Sequence, residues 1–206
     1  MHKILPVAGM VLLLCGAGVL AQDKEVTEYQ GQKLTAVENQ GLTTVERPPV
    51  VDLASFRLRV DGLVTTPVSL TYNDVLAMSQ VSRVVRLNCV EGWSFLALWT
   101  GVRLADLLAK VQPKAGAKAV IFHALGGTYA SALPLEFVIK KDLILACKDN
   151  NLTLTPARGF PFKLIAEDKL GYKWVQWVER IEISDKDYRG YWETRGYSND
   201  ADVKKR

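Results

Sequence analysis

The chain has 206 residues, 49% of them hydrophobic, with 26 Lys and Arg against 22 Asp and Glu for a formal net charge of +4. That length suits one domain with a sizeable core, and so balanced a charge excludes the clustered basic footprint of a nucleic-acid binder. No Cys-x-x-Cys, Cys-x-x-Cys-His or His-Glu-x-x-His occurs, so structural zinc, covalently attached haem and a zinc-protease site all lack ligands.

Residues 1–21 read as an export signal. Lys3 supplies the positive start, Ile4 to Leu20 the apolar run, and Val19-Leu20-Ala21 a small-residue cleavage site before polar Gln22 and Asp23. Loss of Lys3 lowers the basic count from 26 to 25 against 22 acids, leaving +3 on an exported, periplasmic chain. The apolar run is about 17 residues, at the short edge of a bilayer span, so an uncleaved membrane anchor is the alternative. His2-Lys3 offers no twin-arginine pair. Residues 22–50 form a polar leader ending in Arg47-Pro48-Pro49, either mobile or lying on the surface.

The folded domain spans 51–206. Phe56-Arg57-Leu58-Arg59-Val60 alternates strictly and predicts a half-buried strand turned by Asp61-Gly62. Thr71, with Asp74 three residues on, predicts a capped helix running to about Met78. The β-branched run Val81 to Leu87 predicts a strand that delivers Cys89, and the segment after it reads as a Trp-rich loop. Leu104, Leu107, Leu108 and Val111 fall at helical spacing, and Pro113 stops that helix. Ala119 to Ala124 predicts a strand, Gly126-Gly127 a turn, and the residues up to Leu133 a second short strand. Pro134 opens a helix to about Lys140. Asn150-Asn151 marks a hairpin turn between Leu143 to Cys147 and Leu152 to Thr155. Lys163 to Ala166 and Val175 to Ile183 complete the strands. Short strands interrupted by short helices, without a βαβ rhythm, point to an α+β fold with mixed β-sheets.

Several residues carry chemical interest. A lone Cys in an apolar setting is usually a small buried hydrophobe, yet Cys89 stands where a strand delivers it to a polar loop. An exported Cys89 and Cys147 allow one bridge, but Cys147 closes the apolar run Leu143 to Ala146 and reads as a core residue. Trp93 is a packing wall with one donor to place. Arg158, Lys163 and Lys173 are three cations in a Gly- and Pro-punctuated region, suited to a phosphate or simply to solvated turns. His123 reads as a satisfied core or pocket-edge histidine. Tyr188, Tyr191, Trp192 and Tyr197 form an aromatic run that packs over the domain.

The stretch Asn88-Cys89-Val90-Glu91-Gly92-Trp93-Ser94 resembles the sulfite-oxidase-like molybdopterin-dependent oxidoreductases, and is closer to their periplasmic methionine-sulfoxide-reductase catalytic subunits than to sulfite oxidase. The likeness continues in order through Ser131 to Glu136, Leu154 to Leu164, Leu170 to Trp174 and Gly190 to Ser198. It implies the sulfite-oxidase molybdopterin-domain fold and a molybdenum-molybdopterin cofactor on which Cys89 is the sole protein sulfur. A soft metal favours such a thiolate. It further implies that Glu91 lines the substrate pocket and manages a proton, the alternative being a solvated or paired loop carboxylate. Lys163, where the family usually has Arg, and Lys173 would lie along the phosphate arm with Arg158. The small-molecule substrate would be a sulfoxide, with electrons exchanged with a membrane haem protein or cytochrome. Sulfite oxidases carry a Gly-Asn-Arg type sequence after their Cys, whereas Val90, Glu91 and Gly92 stand here, which disfavours an anionic substrate. A sulfite-oxidising variant and a metal-free binding module are the remaining alternatives.

Overall fold

The structure is a computed structural model that describes residues 23–204; residues 1–22, which include the segment read as an export signal, and Lys205 and Arg206 lie outside the described residues. In chain order the elements are β1 (Glu28–Tyr29), β2 (Gln32–Lys33), β3 (Leu58–Gly62), β4 (Val68–Leu70), α1 (Tyr72–Leu76), β5 (Gln80–Asn88) and β6 (Ser94–Arg103). They continue as α2 (Leu104–Val111), β7 (Ala119–Ala124), β8 (Ala130–Pro134), α3 (Leu135–Lys140), β9 (Ile144–Asp149), β10 (Leu152–Thr153), β11 (Lys163–Ile165) and β12 (Val178–Ser184). β1 and β2 form a small two-stranded sheet; of the two five-stranded sheets, one runs β10-β9-β6-β5 with β11 also on β9 and the other runs β4-β3-β12-β7-β8. Only β3 and β12 pair in parallel within these two sheets, so both are mixed or antiparallel, as the α+β reading expects. Leu58, Val60, Leu87, Trp99, Phe122 and Ile181, drawn from both sheets, belong to one buried cluster.

Local chemistry explains the elements. At α1 the Thr71 hydroxyl accepts the Asp74 N–H at 3.1 Å, and Asp74 Oδ2 accepts the Thr71 N–H at 2.9 Å. This closes a reciprocal cap; the helix stops at Leu76, short of Met78. Asn150 and Asn151 have φ of 47° and 70°, the left-handed pair that a two-residue hairpin needs. Asp61 and Gly62 do not turn the chain. They extend β3, because the neighbouring β12 offers Glu182 and Ile183 as parallel partners.

The larger correction is β6. The segment read as a Trp-rich loop is a ten-residue strand between β5 and β9. Its residues Phe95, Ala97, Leu98 and Trp99 are all buried, so it shows no alternation of apolar and polar positions, and the period-2 signal is absent. Gly101 is a packing requirement there: a Cβ would lie 2.0 Å from the Leu145 carbonyl oxygen of β9.

The polar leader lies on the surface of the domain. Val26 N–H donates to Asn150 O at 2.9 Å, Thr35 N–H to Leu96 O at 2.8 Å, and Gln40 Nε2 to Asp149 Oδ1 at 3.1 Å. Leu34 is buried beneath it. A polar composition thus hides a strap whose backbone groups find partners on the domain.

Candidate functional site

Cys89 is the first residue beyond β5, and the Cys89–Trp93 loop turns β5 into β6. Cys89 N–H donates to Trp93 O at 2.9 Å and Gly92 N–H to Cys89 O at 3.2 Å. A parallel bridge between Asn88 and Leu170 brings the tight 3-10 turn Gly171–Lys173 alongside. Between them opens a cleft of about 940 Å³ counting its mouth, lined by Cys89, Glu91, Trp93, Tyr172, Trp177 and Tyr197 among others. Sequence reading assigned Trp192 and Tyr197 to packing, yet both line the cleft, as do Gly41 to Val45 of the strap. Aromatic density near the C-terminus was a signal for the first pair; the strap left none.

Glu91 organises the loop. Its Oε2 accepts the Trp93 indole N–H at 2.8 Å, the Thr43 hydroxyl at 3.0 Å and the Cys89 thiol at 3.8 Å. The indole and the hydroxyl, in that order, hold the Glu91 carboxyl below its ordinary range, so it is ionised at neutral pH. Burial pushes the Cys89 thiol up, and the Glu91 charge adds to this. Trp93 lies roughly parallel to Phe95 with ring centroids 6.1 Å apart.

The three cations are not gathered in one place. Lys163, on β11, is the one that lines the cleft. The residue is buried, and its ammonium sits 5.2 Å from the centre of the Trp99 ring and makes no hydrogen bond among the described residues. Burial brings its pKa down to about 8 against the opposing pull of Asp149. Arg158 instead clamps the strap through Val37 O and through Gln40 Oε1 at 3.2 Å. Lys173 is fully buried, donating to Glu193 Oε1 at 2.5 Å and Ala132 O at 3.0 Å. His123 does not line the cleft; it meets Glu182 at 2.9 Å and packs against Tyr188.

Among the described residues no three His, Cys, Asp or Glu side chains gather as a metal site. Cys89 and Cys147 are both free thiols. A metal at Cys89 would therefore draw its remaining ligands from a bound organic group. One soft sulfur, an aromatic-walled cleft and the Lys163 cation in its lining fit a dithiolene-bearing, anionic cofactor.

The family described as "Oxidoreductase molybdopterin binding domain" matches residues 45–192. The uncharacterized oxidoreductase YuiH of Bacillus subtilis (strain 168) is 34% identical over 157 residues, 76% of this chain and 79% of its own. YedZ1 of Azospira oryzae, provisionally named a protein-methionine-sulfoxide reductase subunit, is 36% identical over 148 residues, 72% of this chain and 56% of its own. In structure the chain resembles the sulfane dehydrogenase SoxCD from Paracoccus pantotrophus, with a TM-score of 0.63 at 23% identity over 89% of this chain and 58% of that one. That likeness establishes the fold. This chain spans little more than half of YedZ1 and of the SoxCD chain.

Proposed function

This chain belongs to the oxidoreductase molybdopterin-binding-domain family, of the sulfite-oxidase-like kind, and from that premise we propose that it is the catalytic domain of an exported sulfoxide reductase. The observation that carries the reading is the pairing of one half-buried thiol with an ionised Glu91 in a single aromatic-walled cleft. Molybdenum-molybdopterin, when bound, supplies two-electron oxygen-atom transfer. Cys89 would hold the metal through its sulfur, deprotonated on binding. Lys163 would take an anionic group of the cofactor, as a point charge in place of the bidentate grip of Arg. Arg158 and Lys173 act one step removed, the first by anchoring the strap and the second by fixing the turn beside Cys89.

The substrate sulfoxide takes two electrons and two protons and leaves as sulfide and water. Glu91, ionised at rest, orients the Trp93 indole and sets negative charge beside the thiol. That charge opposes sulfite and leaves a neutral sulfoxide unopposed. The printed name of YedZ1 supports the same substrate class, and its being called a subunit supports a partner protein. A membrane haem protein or cytochrome is the electron carrier in this reading.

Cys89→Ser tests the proposal. Protein purified from its native host should contain molybdenum and pterin and reduce sulfoxides, and the variant should lose turnover and the sulfur–metal spectroscopic signature while keeping its fold. A metal-replete, active serine variant would overturn it, and native-host protein without either component would favour a metal-free binding module.

A further inference from the structure

Gly41 to Thr44 lie ahead of the family match, which begins at residue 45, yet all four line the cleft with Cys89. Three observations fix them there. The Thr43 hydroxyl donates to the same Glu91 oxygen that receives the Trp93 indole and the Cys89 thiol. Gly41 lies against the Trp93 ring so closely that a Cβ would stand 2.5 Å from Cε3. Just upstream, Gln40 is buried, bonded to Asp149 and to Arg158. The strap is therefore held behind by buried polar contacts and in front by the Glu91 carboxylate.

Beside Thr43 and Thr44, the strap presents the apolar side chains of Leu42 and Val45 to the cleft. Leu42 is 45% exposed and Val90, on the Cys89 hairpin, 47% exposed; both line the cleft. Scattered exposed apolar residues are ordinary, but two that line the same aromatic-walled cleft offer it apolar surface open to solvent.

We infer that the strap is a specificity-determining wall of the site: Thr43 latches it to the Cys89 hairpin, and Leu42 with Val90 receives the hydrocarbon substituent of the substrate. The identity of the substrate rests on the sulfoxide reading; the latch does not. The strap then selects sulfoxides by the apolar group they carry, and the family domain supplies the reacting end.

Two arms test this on the full-length chain. In hydrogen exchange, Thr43→Val should speed exchange of the Cys89 and Gly92 amides about tenfold, while Thr43→Ser, which keeps the hydroxyl, should restore protection. In kinetics, Leu42→Asp should lower kcat/KM for an aryl methyl sulfoxide about tenfold and for dimethyl sulfoxide far less, as expected for loss of apolar contact with the larger group. Unchanged exchange in Thr43→Val would overturn the latch, and an equal loss on both sulfoxides would overturn the apolar contact. If the parent reduces no sulfoxide, the proposed reaction fails and the exchange arm still decides the latch.

Discussion

Lys163 shows at the residue scale what burial does to a charge. Its ammonium is lowered to about pKa 8 by desolvation, below the value near 10.4 of an unfolded chain. Between those values the unfolded state binds more protons than the native one, so stability rises with pH. Burial also holds Tyr129 and Tyr172 protonated past their ordinary range, which begins to cost stability above about pH 10. Above about pH 8.5 the raised Cys89 and Cys147 thiols also cost stability and the lowered Lys173 acts in the same sense as Lys163, so the Lys163 share is the difference between parent and variant. Denaturant unfolding from about pH 8 to 10 should show the parent gaining up to ~2 kcal/mol relative to Lys163→Met. Glu91 makes the opposite case, because it is exposed and held ionised by its donors. Glu91→Gln should shift turnover toward sulfite relative to sulfoxide, modestly and less at high salt; steady-state kinetics at matched metal content checks this. An unchanged preference would remove the electrostatic argument against sulfite.

At the scale of elements, the ion pair of Lys173 and Glu193 joins the Gly171–Lys173 turn to the Glu193–Arg195 turn beneath β8, where Ser131 also donates to Glu193. Neither side chain has exposed surface. Removing one partner strands the other charge, so Lys173→Met should cost about 3–5 kcal/mol, whereas Lys173→Met with Glu193→Leu should recover most of it. Urea unfolding of the single and double variants measures the difference, and a nearly neutral single variant would show that the pair does not fix the turn. β6 marks where sequence patterns lose their grip. The caps, the Asn-Asn hairpin and the amphipathic α2 announce themselves through local chemistry, but β6 is buried in the middle of a sheet and presents no polar face to read. Gly101 within it is required by the close approach of the β9 backbone, which no local pattern announces.

For the molecule as a whole, the two sheets and their shared core bring residues distant in sequence to one cleft: Thr43, Cys89, Lys163, Tyr172 and Tyr197. The sequence by itself determined the family, the α+β class, the strand that presents Cys89 and the nearness of Glu91 and Trp93. All of these rest on local order, on turn and cap chemistry, or on motifs within a few residues of one another. Tertiary structure alone decided which cations reach the cleft, since Arg158, Lys163 and Lys173 are near neighbours in the chain but diverge to a strap, a cleft and a buried pair. It also decided that a polar leader is a wall of the site. Hydrophobic patterning reports which residues leave water, whereas the partner of a buried charge or of an unpaired backbone group is set by whatever element the fold lays against it.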